Sequence, residues 1–242
     1  MTRTLFALNP GLDRPAIAAA LRAHGRVQVR QFLHPDAAES IHEVLSRGTD
    51  WGLAGAATGK SGAHIRGPEL RAMTPDARAR FGLEAGQSAS KGDFGFLYAQ
   101  YPMVEAYVQG WNPGHPLDLL LEHLNAEPML GFARDVSGIA EIIKADAQAT
   151  LYAPGHFLTV HDDTVVEEGR RLAYVLSLAR DWRPDWGGHL NFIDDDGDTI
   201  EGFIPRFNAL NLFTVPMRHN VGAVPPFAPV GRFSITGWFR DK

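Results

Sequence analysis

Two histidines and an aspartate are the residues of this chain best placed to do chemistry. His161-Asp162-Asp163 follows an apolar run of strand character, Phe157-Leu158-Thr159-Val160. Residues two apart on an extended chain point to the same side, so His161 and Asp163 are expected to reach one metal ion. His219 lies 58 positions later and opens another such run, His219-Asn220-Val221. Two imidazoles and one carboxylate occupy one face of an iron(II) octahedron and leave three positions open. A bidentate 2-oxo acid takes two of these and dioxygen the third. Thirteen positions beyond His219 stands Arg232, in Gly231-Arg232-Phe233-Ser234. A guanidinium grips a carboxylate through two parallel hydrogen bonds. Ser234, on the same strand face, offers a hydroxyl beside it. Tyr152 lies nine positions before His161 and can add a phenol. Asp162 is the competing carboxylate, but alternation turns it away and leaves it a turn residue.

Such a cluster needs strands to hold it, and the second half of the chain is written in them. From about residue 145 the runs 149–152, 157–160, 172–178, 190–193, 203–204, 209–215, 219–224 and 233–239 are short and apolar or alternating. Turn residues such as Pro154-Gly155, Gly187-Gly188 and Asp194–Asp198 separate them. Short strands at this spacing imply an antiparallel sandwich or barrel. The first half reads mainly as helix. Asp13 caps an Arg14-Pro15-led run that stops at Gly25, a short β-rich run covers 26–30, and helical spacing returns at 35–45, 117–124 and 128–136. Residues 52–62 are rich in Gly, Ala and Ser and are expected to form a mobile loop or a hairpin tip. They lack the spacing of a phosphate-binding loop. The segment 88–102, with Phe94, Phe96, Tyr98 and Tyr101, suits a mobile flap or a buried strand. Helices first and strands after imply an α+β, mainly β architecture. The expected organisation is one domain over 1–242, with 1–144 as helical support and substrate-side elements and 145–242 as the β core carrying the metal site.

Composition narrows the chemistry further. The 242 residues include no cysteine, which excludes disulfides, thiolate nucleophiles, iron–sulfur clusters and cysteine-held zinc. A formal net charge of −5 gives no general attraction to nucleic acid or to an anionic membrane. No run approaches the length of a membrane-spanning helix and the N-terminus lacks the apolar core of a secretory signal, so a cytoplasmic protein is expected. The remaining histidines have no partners at ligand spacing. Trp182 and Trp186 are expected to pack beneath a loop, and Asp194-Asp195-Asp196-Gly197-Asp198 to form a solvated hairpin turn rather than a calcium loop.

The motifs in order are Tyr152-Ala153-Pro154-Gly155, Leu158-Thr159-Val160-His161-Asp162-Asp163, Gly187-Gly188-His189-Leu190-Asn191, Pro205-Arg206-Phe207-Asn208, Arg218-His219-Asn220-Val221 and Gly231-Arg232-Phe233-Ser234-Ile235-Thr236-Gly237-Trp238. Together they resemble the prolyl-hydroxylase branch of the 2-oxoglutarate/iron(II) oxygenases, over about residues 145–242. The resemblance implies a double-stranded β-helix, a jelly-roll or cupin-like fold, with N-terminal helices packed on its larger sheet. It implies that His161, Asp163 and His219 hold iron(II), that Arg232 pairs the distal carboxylate of 2-oxoglutarate with Ser234 beside it, and that Tyr152 and Thr236 line the co-substrate pocket. It implies oxidative decarboxylation of 2-oxoglutarate by dioxygen, coupled to hydroxylation, with ascorbate as a possible accessory reductant. Related halogenases replace the acidic ligand, so the retained Asp163 points to hydroxylation. One position departs from the pattern: Ser177 stands where some prolyl hydroxylases carry a second co-substrate tyrosine. Tyr174, three positions away, would face the other side of its strand.

The favoured reading is hydroxylation of a protein side chain, a prolyl residue first. Hydroxylation of a free amino acid or small metabolite is the alternative within the same chemistry. A non-enzymatic jelly-roll binding module would have lost a ligand, and none is lost. A zinc hydrolase on the same triad leaves Arg232-Phe233-Ser234 without a purpose. The sequence does not fix the assembly; a homodimer is one option.

Overall fold

The computed structural model describes residues 5–56 and 62–242. Helix α1 (Arg14–His24) starts where the Asp13 side chain accepts from the Ala16 N–H and ends at Gly25, whose φ of 67° is left-handed. Strand β1 (Arg26–Arg30) follows, then α2 (Pro35–Glu43) with a wide terminal turn at Val44–Gly48. Strands β2 (Gly52–Gly55) and β3 (Ala63–Ile65) pair as a hairpin, and residues 57–61 of the Gly-rich segment lie outside the described part. Helices α3 (Gly67–Ala72) and α4 (Pro75–Ser90) lead to β4 (Phe96–Tyr101), so the 88–102 segment contributes a strand. Helices α5 (Met103–Gln109), α6 (Pro116–Leu124) and α7 (Glu127–Ser137) complete the first half.

The second half is nine strands: β5 (Lys144–Ala145), β6 (Gln148–Tyr152), β7 (Phe157–His161), β8 (Arg170–Ser177), β9 (Leu190–Ile193), β10 (Thr199–Phe203), β11 (Ala209–Thr214), β12 (His219–Val221) and β13 (Arg232–Arg240). All pairings are antiparallel, in the order β1-β11-β8-β13-β6-β4-β7-β12-β9-β10. The sheet curls until its two ends meet. Arg26 Nε on β1 lies 2.6 Å from Glu201 Oε2 on β10, and the Gln28 amide donates to the Ile204 carbonyl at 3.1 Å. The result is a nearly closed barrel of the double-stranded β-helix kind.

Alternation sorts the side chains of this barrel. On β8, Leu172, Tyr174 and Leu176 join Leu210 and Leu212 of β11 and Ile235 and Phe239 of β13 in one core with the helices. The helices bring Leu21, Ile41, Leu120, Leu124 and Phe132, all buried, to the same core. The residues between them point inward: Ala173 and Val175 of β8 pack with Leu190, Phe192 and Phe213 inside the barrel. The helices therefore brace the β11-β8-β13 part of the sheet from outside and leave the interior to the site. The first half also supplies strands, since β1 and β4 are integral to the sheet order.

Asn208 ties the two halves together. Its φ is 54°, a left-handed value that asparagine tolerates better than most residues. Its buried amide accepts from Leu33 N–H and donates to Leu33 C=O, both at 2.8 Å. Asn208→Ala leaves two buried backbone groups unpaired, and a loss of about 2–4 kcal/mol is expected, read as a lowered urea midpoint with an unchanged slope.

Candidate active site

His161 and His219 face each other because their strands pair in register, β7 against β12 with His219 opposite His161. The ring centroids are 4.1 Å apart. His161 Nδ1 lies 2.9 Å from the Thr159 carbonyl and His219 Nδ1 lies 2.7 Å from the Met217 carbonyl. A carbonyl only accepts, so each Nδ1 carries the proton and each Nε2 is turned to the site. Asp163 completes the group, its carboxylate 3.1 Å from His161 Nε2 and 3.5 Å from His219 Nε2. One ligand atom from each residue lies within 4.8 Å of the others.

Asp163 reaches this point by a different route from the one alternation suggests. Its φ is 64°, so the chain is not extended there. It turns directly after β7 and folds the carboxylate back onto the imidazoles. Asp162 behaves as a turn residue, its carboxylate accepting from the Thr164 N–H at 3.0 Å.

Electrostatics suit a cation. Burial and the neighbouring His161 push the His219 pKa down to about 4, which leaves its imidazole neutral at physiological pH. Burial alone would raise the Asp163 pKa. The two facing imidazoles, which in their protonated forms bond to and attract the carboxylate, outweigh it and hold the carboxyl below its usual range. An ionised carboxylate and imidazole nitrogens thus converge on one point. Two nitrogens and an oxygen, open on one side to a cavity, form a donor set that fits a divalent first-row metal such as iron(II).

That cavity runs into the barrel, encloses about 480 Å³ and ends at Arg232. Arg232 opens β13 opposite Tyr152 of β6 and is only 2% exposed. Burial lowers its pKa. Among the described residues no carboxylate pairs with it, and its Nε has no hydrogen-bond partner. Its one neighbour of note is the Tyr152 ring, 5.1 Å from the guanidinium carbon. An isolated buried guanidinium is costly unless something answers its charge. The cavity is where that partner would lie, and the fitting partner is an anion, ideally a carboxylate.

The other expected pocket residues divide. Thr236 and Tyr152 line the cavity. Ser234 is on the Arg232 face but is sealed behind it: it is fully buried, and its hydroxyl meets Thr150 Oγ1 at 2.8 Å. Thr150, bonded to that hydroxyl, is the one of the pair that lines the cavity. It sits two residues before Tyr152 on β6, so the period of two was the signal that could have found it. Tyr174 faces outward as expected, its phenol donating to the Asp146 carbonyl at 2.8 Å. Ser177 is fully buried with no partner for its hydroxyl. The second tyrosine of the pocket comes instead from β4. Tyr98 stacks on Tyr152 with centroids 5.1 Å apart, and burial pushes its pKa up to about 12, so both phenols stay protonated and able to donate. Only the pairing of β4 between β6 and β7 puts Tyr98 here. Trp182 and Trp186 pack edge to face beside the Gly187 turn, where the Trp182 indole donates to the Gly187 carbonyl at 3.0 Å.

Residues 147–240, which carry every one of these cavity groups except those of β4, match the model of the 2OG-Fe(II) oxygenase superfamily. This segment is similar to that superfamily. The chain is also similar to the prolyl 3-hydroxylase OGFOD1 of Mus musculus, 34% identical over 126 residues. That match takes in 49% of this chain and 23% of the mouse protein. The corresponding protein of Xenopus laevis is 30% identical over 127 residues, 50% of this chain and 24% of its own length. The aligned part thus spans about a quarter of those relatives. In fold the chain resembles a prolyl-4-hydroxylase of Pseudomonas putida, with a TM-score of 0.60 at 20% identity over 95% of this chain and 99% of that one. It also resembles a prolyl hydroxylase of Trichoplax adhaerens, with a TM-score of 0.59 at 14% identity over 94% and 89%.

Proposed function

We propose that the protein is a 2-oxoglutarate- and iron(II)-dependent dioxygenase that hydroxylates a protein side chain, a prolyl residue first. The observation that carries this reading is Arg232, an unpaired buried guanidinium in the same cavity as the His161, Asp163 and His219 donor set. A zinc hydrolase on the same triad has no use for such a group.

His161, Asp163 and His219 would hold the iron, which when bound supplies the place where 2-oxoglutarate and dioxygen meet. Arg232 would pair the distal carboxylate of the co-substrate, and Thr150, Tyr152 and Tyr98 would surround it with hydroxyl groups. Leu190, Phe213 and Val221 line the cavity with carbon and limit water. In the overall reaction 2-oxoglutarate is oxidised to succinate and carbon dioxide. One atom of dioxygen enters succinate, and the other enters a substrate C–H bond to give an alcohol.

A polypeptide substrate is favoured by the similarity to prolyl hydroxylases. Phe94, 49% exposed and 5.2 Å from the His161 ring, lines the cavity together with Thr164 and Val165. The Trichoplax adhaerens enzyme was solved with a fragment of an oxygen degradation domain peptide. Incubating the iron-loaded protein with 2-oxoglutarate and proline-containing peptides is expected to yield peptides with one added oxygen and a matching amount of succinate. Oxygen gained by free amino acids but by no peptide would move the assignment to the small-metabolite class.

A further inference from the structure

A second concavity lies beside the catalytic cavity and has no part in the reading above. It sits between α5 and the ends of β6 and β13, encloses about 420 Å³, and is walled chiefly by Pro102, Val104, Val108 and Ala147. Gln148, Thr236 and Trp238 line both spaces, so the groove adjoins the cavity at the Trp238 side chain. That indole is clamped from above by the Arg170 guanidinium, 3.6 Å from the ring centre.

Helix α5 is apolar on both sides. Met103 and Ala106 are buried in the core, while Val104 is 39% exposed and Val108 77% exposed. Valine is a poor helix former, and a solvent-facing helix position ordinarily favours a polar residue. One exposed valine needs no explanation. Here two stand one turn apart on the same helix face, and both wall a concave space that borders the reaction chamber. The carboxylates nearby are engaged elsewhere: Asp146 accepts from the Trp238 backbone N–H at 2.8 Å, and Glu105 accepts from Gln109 at 3.2 Å. The groove therefore offers carbon to its occupant, with negative charge only at its edge.

We propose that this groove seats an aliphatic side chain of the polypeptide substrate, at a fixed number of residues from the hydroxylated position, and so helps to select which residue enters the cavity. The inference rests on the polypeptide reading above. A small metabolite that fills the cavity would leave the groove bare. A chain laid across both has side chains that reach each, and the shared wall at Trp238 fixes their relative positions.

The test uses a peptide library with one central proline and one flanking position randomised at a time. Peptides that gain one oxygen atom are sorted by mass spectrometry. The expected result is enrichment of Leu, Ile, Val or Met at one flanking offset, by about tenfold over polar residues. That enrichment should disappear in the V104D/V108D double variant, while affinities for iron(II) and 2-oxoglutarate stay unchanged. If the double variant does not fold, Val108→Asp alone, at the more exposed site, is expected to reduce the enrichment. Oxygenated peptides with no apolar preference, or the same preference in the folded variants, would overturn the groove and leave the prolyl reading standing. Oxygen gain by no peptide at all would overturn both.

Discussion

Arg232→Ala is expected to weaken 2-oxoglutarate binding by two to three orders of magnitude. Removing one partner of a buried, hydrogen-bonded charge pair costs about 2–5 kcal/mol. The readout is the 2-oxoglutarate concentration at half-maximal succinate formation, or direct titration calorimetry. Lysine should not rescue it, because a single ammonium cannot reproduce the paired hydrogen bonds of the planar guanidinium. A second readout separates this role from a structural one. In the free protein Arg232 is buried without a carboxylate partner. Arg232→Met should therefore leave the ligand-free fold as stable as before, or more so, since replacing a buried charge by carbon of similar volume is often neutral or stabilising. A structural arginine behaves in the opposite way. Arg134, which grips Glu127 through contacts of 2.6 and 2.7 Å and also donates to the Ile142 carbonyl, should lose stability on truncation and leave co-substrate affinity intact.

Asp163→Ala is expected to remove iron(II) binding under any ordinary supply of the metal and with it all succinate formation. Loss of a group that merely orients a ligand costs roughly 10–100-fold in metal affinity, and loss of the only carboxylate in the donor set should exceed that. Thermal unfolding with and without metal is the measurement. Iron(II), or manganese(II) as an air-stable probe, should raise the midpoint of the unaltered protein, because binding to the folded state alone stabilises it. The variant should show no such rise. A rise of equal size in the variant would mean that the metal binds elsewhere.

The site was legible in the sequence where its chemistry is local and obscure where it depends on which strands meet. His161, Asp163, His219 and Arg232 announce themselves by type and order, and the structure brings all four to one cavity. The reason for pairing His161 with Asp163 needed revision, since the chain turns left-handed at Asp163 instead of running straight. Ser234 shares the Arg232 face, but a strand face does not say which residue meets the cavity and which is sealed behind a neighbour. Thr150 takes the open position. Tyr98 could not be read from sequence, because it enters through β4, a strand from the first half inserted between β6 and β7. The core strands were plain because apolar runs and turn residues alternate there. Helix α4 has weaker patterning, with Gly82 and Gly86 inside it. Its start was nonetheless marked by Thr74-Pro75-Asp76, where the Thr74 side chain accepts from the Ala77 N–H at 3.2 Å.

The central claim is that one cavity holds both a metal at His161, Asp163 and His219 and a 2-oxo acid anchored at Arg232. Anaerobic titration of iron(II) into the metal-free protein, followed by 2-oxoglutarate, tests it most directly. The account predicts a weak visible charge-transfer band that appears only when both are present. The band should be absent in His219→Ala, and in Arg232→Ala it should require far more 2-oxoglutarate. A folded, iron-loaded protein that shows no band at saturating 2-oxoglutarate would contradict it.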